Sequence, residues 1–158
     1  MTNRLRLALE PVLTPLFQFW WRLKRPMTLG VRGLAFDQDG RVLLIRHTYL
    51  PGWYLPGGGV EAGENALDAI TREMAEEGGV EAIAPPVLTG LYSNHANHPN
   101  DHVALYRFDK WRPCTPLDNG EIAERAFFTL DALPVDLSPG TKRRLAEALD
   151  GAAASALW

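Results

Sequence analysis

The alternation of apolar and polar positions divides the chain into short blocks. MTLGVRGLAF at 27–36 predicts a strand, and RVLLIRH at 41–47 predicts a second. DQDG at 37–40 is a turn, and its Asp39-Gly40 pair is a hairpin signal, so the two strands are expected to pair with each other. WYLP at 53–56 is a short extended piece ended by Pro56. Over 66–77 the spacing becomes helical, with Leu67, Ile70 and Met74 falling together as a core seam. Asn65 is the expected N-cap, with Asp68 three residues on, and Gly78-Gly79 stop the helix. Further strands are expected at 86–92, at 102–109 and within 121–130. SNHANHPND at 93–101 is a polar loop between two of them. SPGTKRRLAEALD at 138–150 predicts a terminal helix, capped by Ser138 and opened by Pro139. The stretch GAAASALW is expected to be loose. With no repeat and no linker, residues 27–158 predict one α/β layered domain built on a mixed sheet.

Residues 1–26 have basic ends and an apolar middle. Glu10, Pro11, Pro15 and Gln18 interrupt the apolar run, and no small-residue cleavage site follows, so a signal peptide is rejected. The run is too short and broken to span a bilayer. It reads as an amphipathic arm packed on its own domain or on a second subunit of a homodimer. The competing reading is an interfacial membrane helix, burying Phe17, Phe19, Trp20 and Trp21 and setting Arg22, Lys24 and Arg25 near lipid phosphates.

Composition narrows the classes only slightly. With 158 residues, 46% apolar and 22% charged, the chain suits one globular domain with a sizeable core. A net charge of −3 does not argue for a nucleic-acid binder, although it leaves a local basic patch open. The single cysteine, Cys114, excludes an intrachain disulfide and fits a cytoplasmic location.

The chemistry concentrates in GGGVEAGENALDAITREMAEEGGV, from Gly57 to Val80. On the predicted helix Glu73, Glu76 and Glu77 form one stripe beside the core seam. A solvated acidic face is the usual meaning of such a stripe. Here like charges repel with no lysine between them, and they sit where the helix dipole disfavours anions. A hard divalent cation would offset both costs, and magnesium and manganese favour oxygen ligands. Gly57, Gly58 and Gly59 supply a turn whose backbone can approach a phosphate closely. Together these features suggest metal-assisted attack of water on phosphorus. The glycines also satisfy a dinucleotide fingerprint, but Glu61 and Glu64 would crowd the pyrophosphate, and no series of βαβ units follows. A Walker loop fails for want of Gly-Lys-Ser/Thr.

This stretch resembles the signature box of the Nudix hydrolases. The pattern is glycine, five residues, glutamate, seven residues, Arg-Glu, an apolar residue, one residue, Glu-Glu, one residue, glycine and an apolar residue. Gly58, Glu64, Arg72, Glu73, Met74, Glu76, Glu77, Gly79 and Val80 match it without departure. The wider resemblance runs from about Met27 to Asp150. It implies an α/β/α sandwich around a mixed β-sheet, with the box as loop–helix–loop. It also implies hydrolysis of a nucleoside diphosphate linked to another moiety, with Mg2+ or Mn2+. Carried over by position, Glu73, Glu76 and Glu77 would bind metal, or one of them would orient or deprotonate the water. Arg72 and Glu64 would brace the loop, and the Gly57 or Gly58 carbonyl would add a ligand. Glu121 or Glu124 would serve as the further acidic residue that family members often carry ahead of a late strand.

Arg46, and behind it Arg32, are candidates to face the phosphates; strand-edge solvation competes for both. His95, His98 and His102 suggest zinc, but no cysteine accompanies them, and a polar loop bordering the pocket explains them better. Trp53 and Tyr54 read as core rather than as base-stacking groups. Two alternatives to the small-nucleotide hydrolase stand: a 5′-end RNA pyrophosphohydrolase, and a nucleotide-binding module without turnover. No motif outside the box names the substrate.

Overall fold

The computed structural model describes residues 26–117, 120–150 and 155–158, with Thr14, Pro15, Trp20 and Lys24 isolated before them. The readings of the 1–26 arm lie almost entirely outside the described residues. Among the described residues from 26 onward, seven strands and two helices follow in the order β1 (Thr28–Ala35), β2 (Val42–His47), α1 (Ala66–Glu76), β3 (Val80–Ala82), β4 (Val87–Ser93), β5 (Asp101–Phe108), β6 (Trp111–Pro113), β7 (Ile122–Phe128) and α2 (Pro139–Asp150).

β1 and β2 do not form the expected hairpin. β1 pairs in parallel with β5, from Thr28 opposite Asp101 to Ala35 opposite Phe108, and β4 pairs antiparallel on the far side of β5. β2 instead pairs antiparallel with β7, and β3 with β6. The turn itself is present: the Asp37 carboxylate accepts from the Asp39 and Arg41 amides at 3.0 and 2.9 Å. What separates the strands is the chain just before the box. Tyr54 exchanges both backbone hydrogen bonds with Ile45 of β2, each 2.9 Å. The Pro56 and Gly58 carbonyls then accept from Gly33 and Val31 of β1, at 2.9 and 2.8 Å. Residues 54–60 thus lie between β1 and β2 and satisfy polar groups that a hairpin would have paired.

Strand alternation sends side chains to two layers. Val31, Ala35, Leu43, Ala104, Tyr106 and Phe108 pack against Ala69, Ile70 and Met74 of α1. Leu34, Val42, Leu44 and Leu105 pack on the other face with Trp53, Leu55, Tyr92 and Leu145 of α2. The result is an α/β/α sandwich. In α1 the seam is turned from its expected centre: Ala69 is fully buried, whereas Leu67 is 38% exposed. The small Ala69 lets the helix sit close on the sheet along the 69–70–74 side, which rolls Leu67 outward. Asn65 caps α1 as expected, accepting from the Leu67 and Asp68 amides at 3.0 and 2.9 Å.

Candidate active site

The box loop is stitched to β1, and this sets the glutamates against it. Gly57 has φ of +139°, and a Cβ there would stand 2.1 Å from the Val31 carbonyl oxygen. A Cβ on Gly58 would stand 2.5 Å from Glu73 Oε1. Only glycines let the turn lie between strand and helix with Glu73 tucked under it.

Burial grades the three helix carboxylates. Glu77 is 7% exposed, and its Oε2 accepts from the Gly57 amide at 2.8 Å. Desolvation pushes its carboxyl up to about 7, with the Gly57 hydrogen bond and the Arg32 charge opposing the rise. Burial also raises Glu73, against the pull of Arg72. Glu76 is the most open of the three. Their repulsion is offset by the base inside the stretch. Arg72 Nη1 donates to Glu73 at 2.7 Å and to Glu76 at 3.3 Å, while its Nε and Nη2 grip both oxygens of Glu64 at 3.0 and 3.1 Å. Glu64 Oε2 accepts in addition from the Glu61 amide, so Arg72 ties the loop to the helix as expected. Among the described residues no three acidic, histidine or cysteine side chains converge as a ready-made metal cage.

Arg32 lies beside this group. Its Nη1 donates to the Leu55 and Gly57 carbonyls at 3.0 and 2.6 Å, and burial lowers its pKa against the opposing charges of Glu77 and Glu73. The Gly57 carbonyl, expected as a ligand, accepts from Arg32, and the Gly58 carbonyl accepts from Val31. Glu121 is exposed at the start of β7, and its charge reaches both Glu77 and His47. Glu124 instead pairs with Arg46 at 3.5 Å. Arg46 is not brought to the glutamates: it shares the Val42–Leu44 face of β2, with its guanidinium 4.8 Å from the Trp53 ring. The β2–β7 register decides this, because it sets Arg46 directly opposite Glu124. Gly59 is exposed and has open space around it.

A cavity of about 730 Å³ opens from Arg32, Tyr54 and Leu55 toward Asn94, Asn97, His98 and the first turn of α2. The loop thus borders a pocket, as read from the sequence. His95 bonds the Ser93 hydroxyl at 3.0 Å. Trp53 is core, at 3% exposure. The sequence reading missed His47, which is 6% exposed with Nδ1 unbonded and its ring 5.1 and 5.7 Å from those of Tyr49 and Tyr54. It also missed Arg125, which donates to the Glu77 carbonyl. Both come to the site through the β2–β7 pairing, which no local pattern announces.

A family model described as NUDIX domain matches residues 26–149. An ADP-ribose pyrophosphatase from Methanocaldococcus jannaschii is 36% identical over 120 residues, 72% of this chain and 69% of that protein. An RNA pyrophosphohydrolase from Gluconobacter oxydans is 45% identical over 62 residues, which cover only 35% of this chain and 36% of the other. The crystal structure of a MutT NUDIX hydrolase from Burkholderia pseudomallei aligns with a TM-score of 0.63 at 27% identity, covering 75% of this chain and 95% of that one. The fold, the complete box and the length of the match agree, and the chain belongs to the Nudix hydrolase family.

Proposed function

We propose that this pyrophosphohydrolase cleaves the diphosphate of a small nucleoside diphosphate joined to a second moiety, such as a sugar. The observation that carries the reading is the place of Arg32, which stands beside the box glutamates and also lines the cavity. A diphosphate at Arg32 would bring its bridge to the glutamates while the nucleoside enters a cavity of ligand size. The relative from Methanocaldococcus jannaschii, matched over most of its length and named for ADP-ribose, supports this class. The RNA reading draws on a match confined to about a third of each chain. The module without turnover has no support from the box, in which every glutamate is present.

The donor set fits a hard divalent ion, since Glu73, Glu76 and Glu77 offer only oxygens and carry charge that Arg72 only partly offsets. Bound there as Mg2+ or Mn2+, it would supply Lewis acidity at the phosphorus and lower the pKa of water. Arg72 holds the glutamates and the loop in register. Arg32 fixes the Gly57 turn and offers positive charge to the phosphates. Whichever of Glu77 and Glu73 is not committed to the ion takes the proton of the attacking water; burial raises both carboxyls, that of Glu77 to about 7. Glu121 contributes from the rim.

The test is a panel of ADP-ribose, other nucleoside diphosphate sugars, dinucleoside polyphosphates and triphosphorylated RNA. Nucleoside monophosphate should appear from the first two groups with magnesium and not with chelator. Turnover of RNA alone would overturn the substrate class.

A further inference from the structure

Residues 155–158, which the sequence pattern leaves loose, form one wall of the cavity through Ser155, Leu157 and Trp158. The segment is tied down at several points. The Ser93 amide donates to the Ala156 carbonyl at 2.8 Å, and the Trp158 amide donates to the Ser93 carbonyl at 2.9 Å. Glu147 Oε1 accepts from the Ser155 amide at 2.9 Å and from Arg144 at 2.8 Å. Arg143 donates to the Trp158 backbone oxygen. The Trp158 ring rests on Gly140 at the start of α2, where a Cβ would come 2.3 Å from its Nε1. Its edge meets Tyr92, with ring centroids 5.8 Å apart. Tyr92 in turn carries the buried Arg144 guanidinium 3.8 Å from its centroid.

This wall is therefore built, and it ends in a half-buried aromatic ring. Asn94, Asn97 and His98 of the polar loop also line the cavity; Asn94 is engaged with Asp101 and with the Asn97 Nδ2, so Asn97 Oδ1 and the His98 imidazole are the groups offered. An aromatic surface together with mixed donors and acceptors suits a flat heterocycle with polar edges. We infer that residues 155–158 form the base-recognition wall of the site, with Trp158 a specificity-determining residue that favours a purine. The inference rests on the reading that the substrate is a nucleotide whose phosphates lie at Arg32. Because a purine offers the larger stacking surface, truncation of Trp158 weakens it more than a pyrimidine.

The experiment uses the full chain, Trp158→Ala, Trp158→Phe and Asn97→Ala. Calorimetry measures AMP and UMP binding, and steady-state kinetics follow ADP-ribose with magnesium. Wild type should prefer AMP, and Trp158→Ala should lose about tenfold in AMP affinity with UMP nearly unchanged, from the usual worth of base–aromatic stacking. KM for ADP-ribose should rise by the same factor with kcat within about threefold, as expected when binding alone is lost. Trp158→Phe should restore most of the affinity. Asn97 is exposed, so Asn97→Ala tests the polar-loop side of the cavity even if Trp158→Ala does not fold; it should narrow the AMP–UMP preference. Absence of AMP binding by wild type would overturn the inference, as would a Phe variant as weak as a folded Ala variant, or an unchanged preference in Asn97→Ala. If AMP binds with these dependencies and no diphosphate is hydrolysed, the hydrolase reading fails and the base wall stands.

Discussion

Glu77→Gln exposes the cost of the site most clearly. The native carboxyl is 7% exposed, with its pKa raised from 4.5 to about 7. The folded state therefore holds this proton more tightly than the unfolded chain does. Its stabilising effect is complete below about pH 4.5 and is lost as pH rises toward 7. At 1.36 kcal/mol per pH unit, the ionised carboxylate costs the metal-free fold about 3 kcal/mol at pH 8. Glutamine keeps an oxygen for the Gly57 amide and carries no charge. For a chain of this size, 1 kcal/mol corresponds to about 2–4 °C in Tm. Thermal melts in chelator should then find the two proteins close at pH 5, and the variant ahead by about 6–12 °C at pH 8. Adding magnesium at pH 8 should reverse the order, because the cation compensates the carboxylate only in wild type. A Tm difference independent of pH would refute the reasoning.

Gly58→Ala places a methyl group within 2.5 Å of Glu73 Oε1, so it should fold but lose at least about tenfold in manganese affinity, read by calorimetry. Arg32→Lys keeps the charge but loses the grip on two carbonyls; kcat/KM should fall about ten- to a hundredfold, the usual worth of a charged hydrogen bond. Arg72→Gln should loosen the 57–65 loop, seen as faster amide exchange there. Asp68→Asn, whose exposed carboxylate touches Asn65 at the cap, should turn over nearly as wild type. Deleting residues 1–25 should leave turnover per folded molecule largely intact.

The elements were legible where local physics decides them. The strands at 28–35, 42–47, 101–108 and 122–128 and the Asn65 cap follow from alternation and side-chain capping. So does the carboxylate stripe, because a helix fixes i, i+3 and i+4 on one side. The missed features are long-range. The Asp39-Gly40 turn was read correctly, but nothing local shows that residues 54–60 lie between the strands it joins. β3 and β6, of three residues each, are too short for a period and depend on each other. Arg46 and Arg32 looked equivalent as strand arginines, and only their long-range neighbours separate them: Arg32 meets the Leu55 and Gly57 carbonyls, and Arg46 lies opposite Glu124. Residues 155–158 have no pattern of their own; the open edge of β4 at Ser93 and the bare backbone at Gly140 hold them.

The proposed chemistry has the box glutamates hold a divalent cation that drives diphosphate hydrolysis. It is tested most directly by a magnesium titration of nucleoside monophosphate release from the best diphosphate-linked substrate, run on wild type, Glu73→Gln and Glu77→Gln. No release is expected in chelator, with saturable activation of wild type and rates at least about a hundredfold lower in both variants at saturating metal. Equal rates in the three proteins, or undiminished release in chelator, would contradict it.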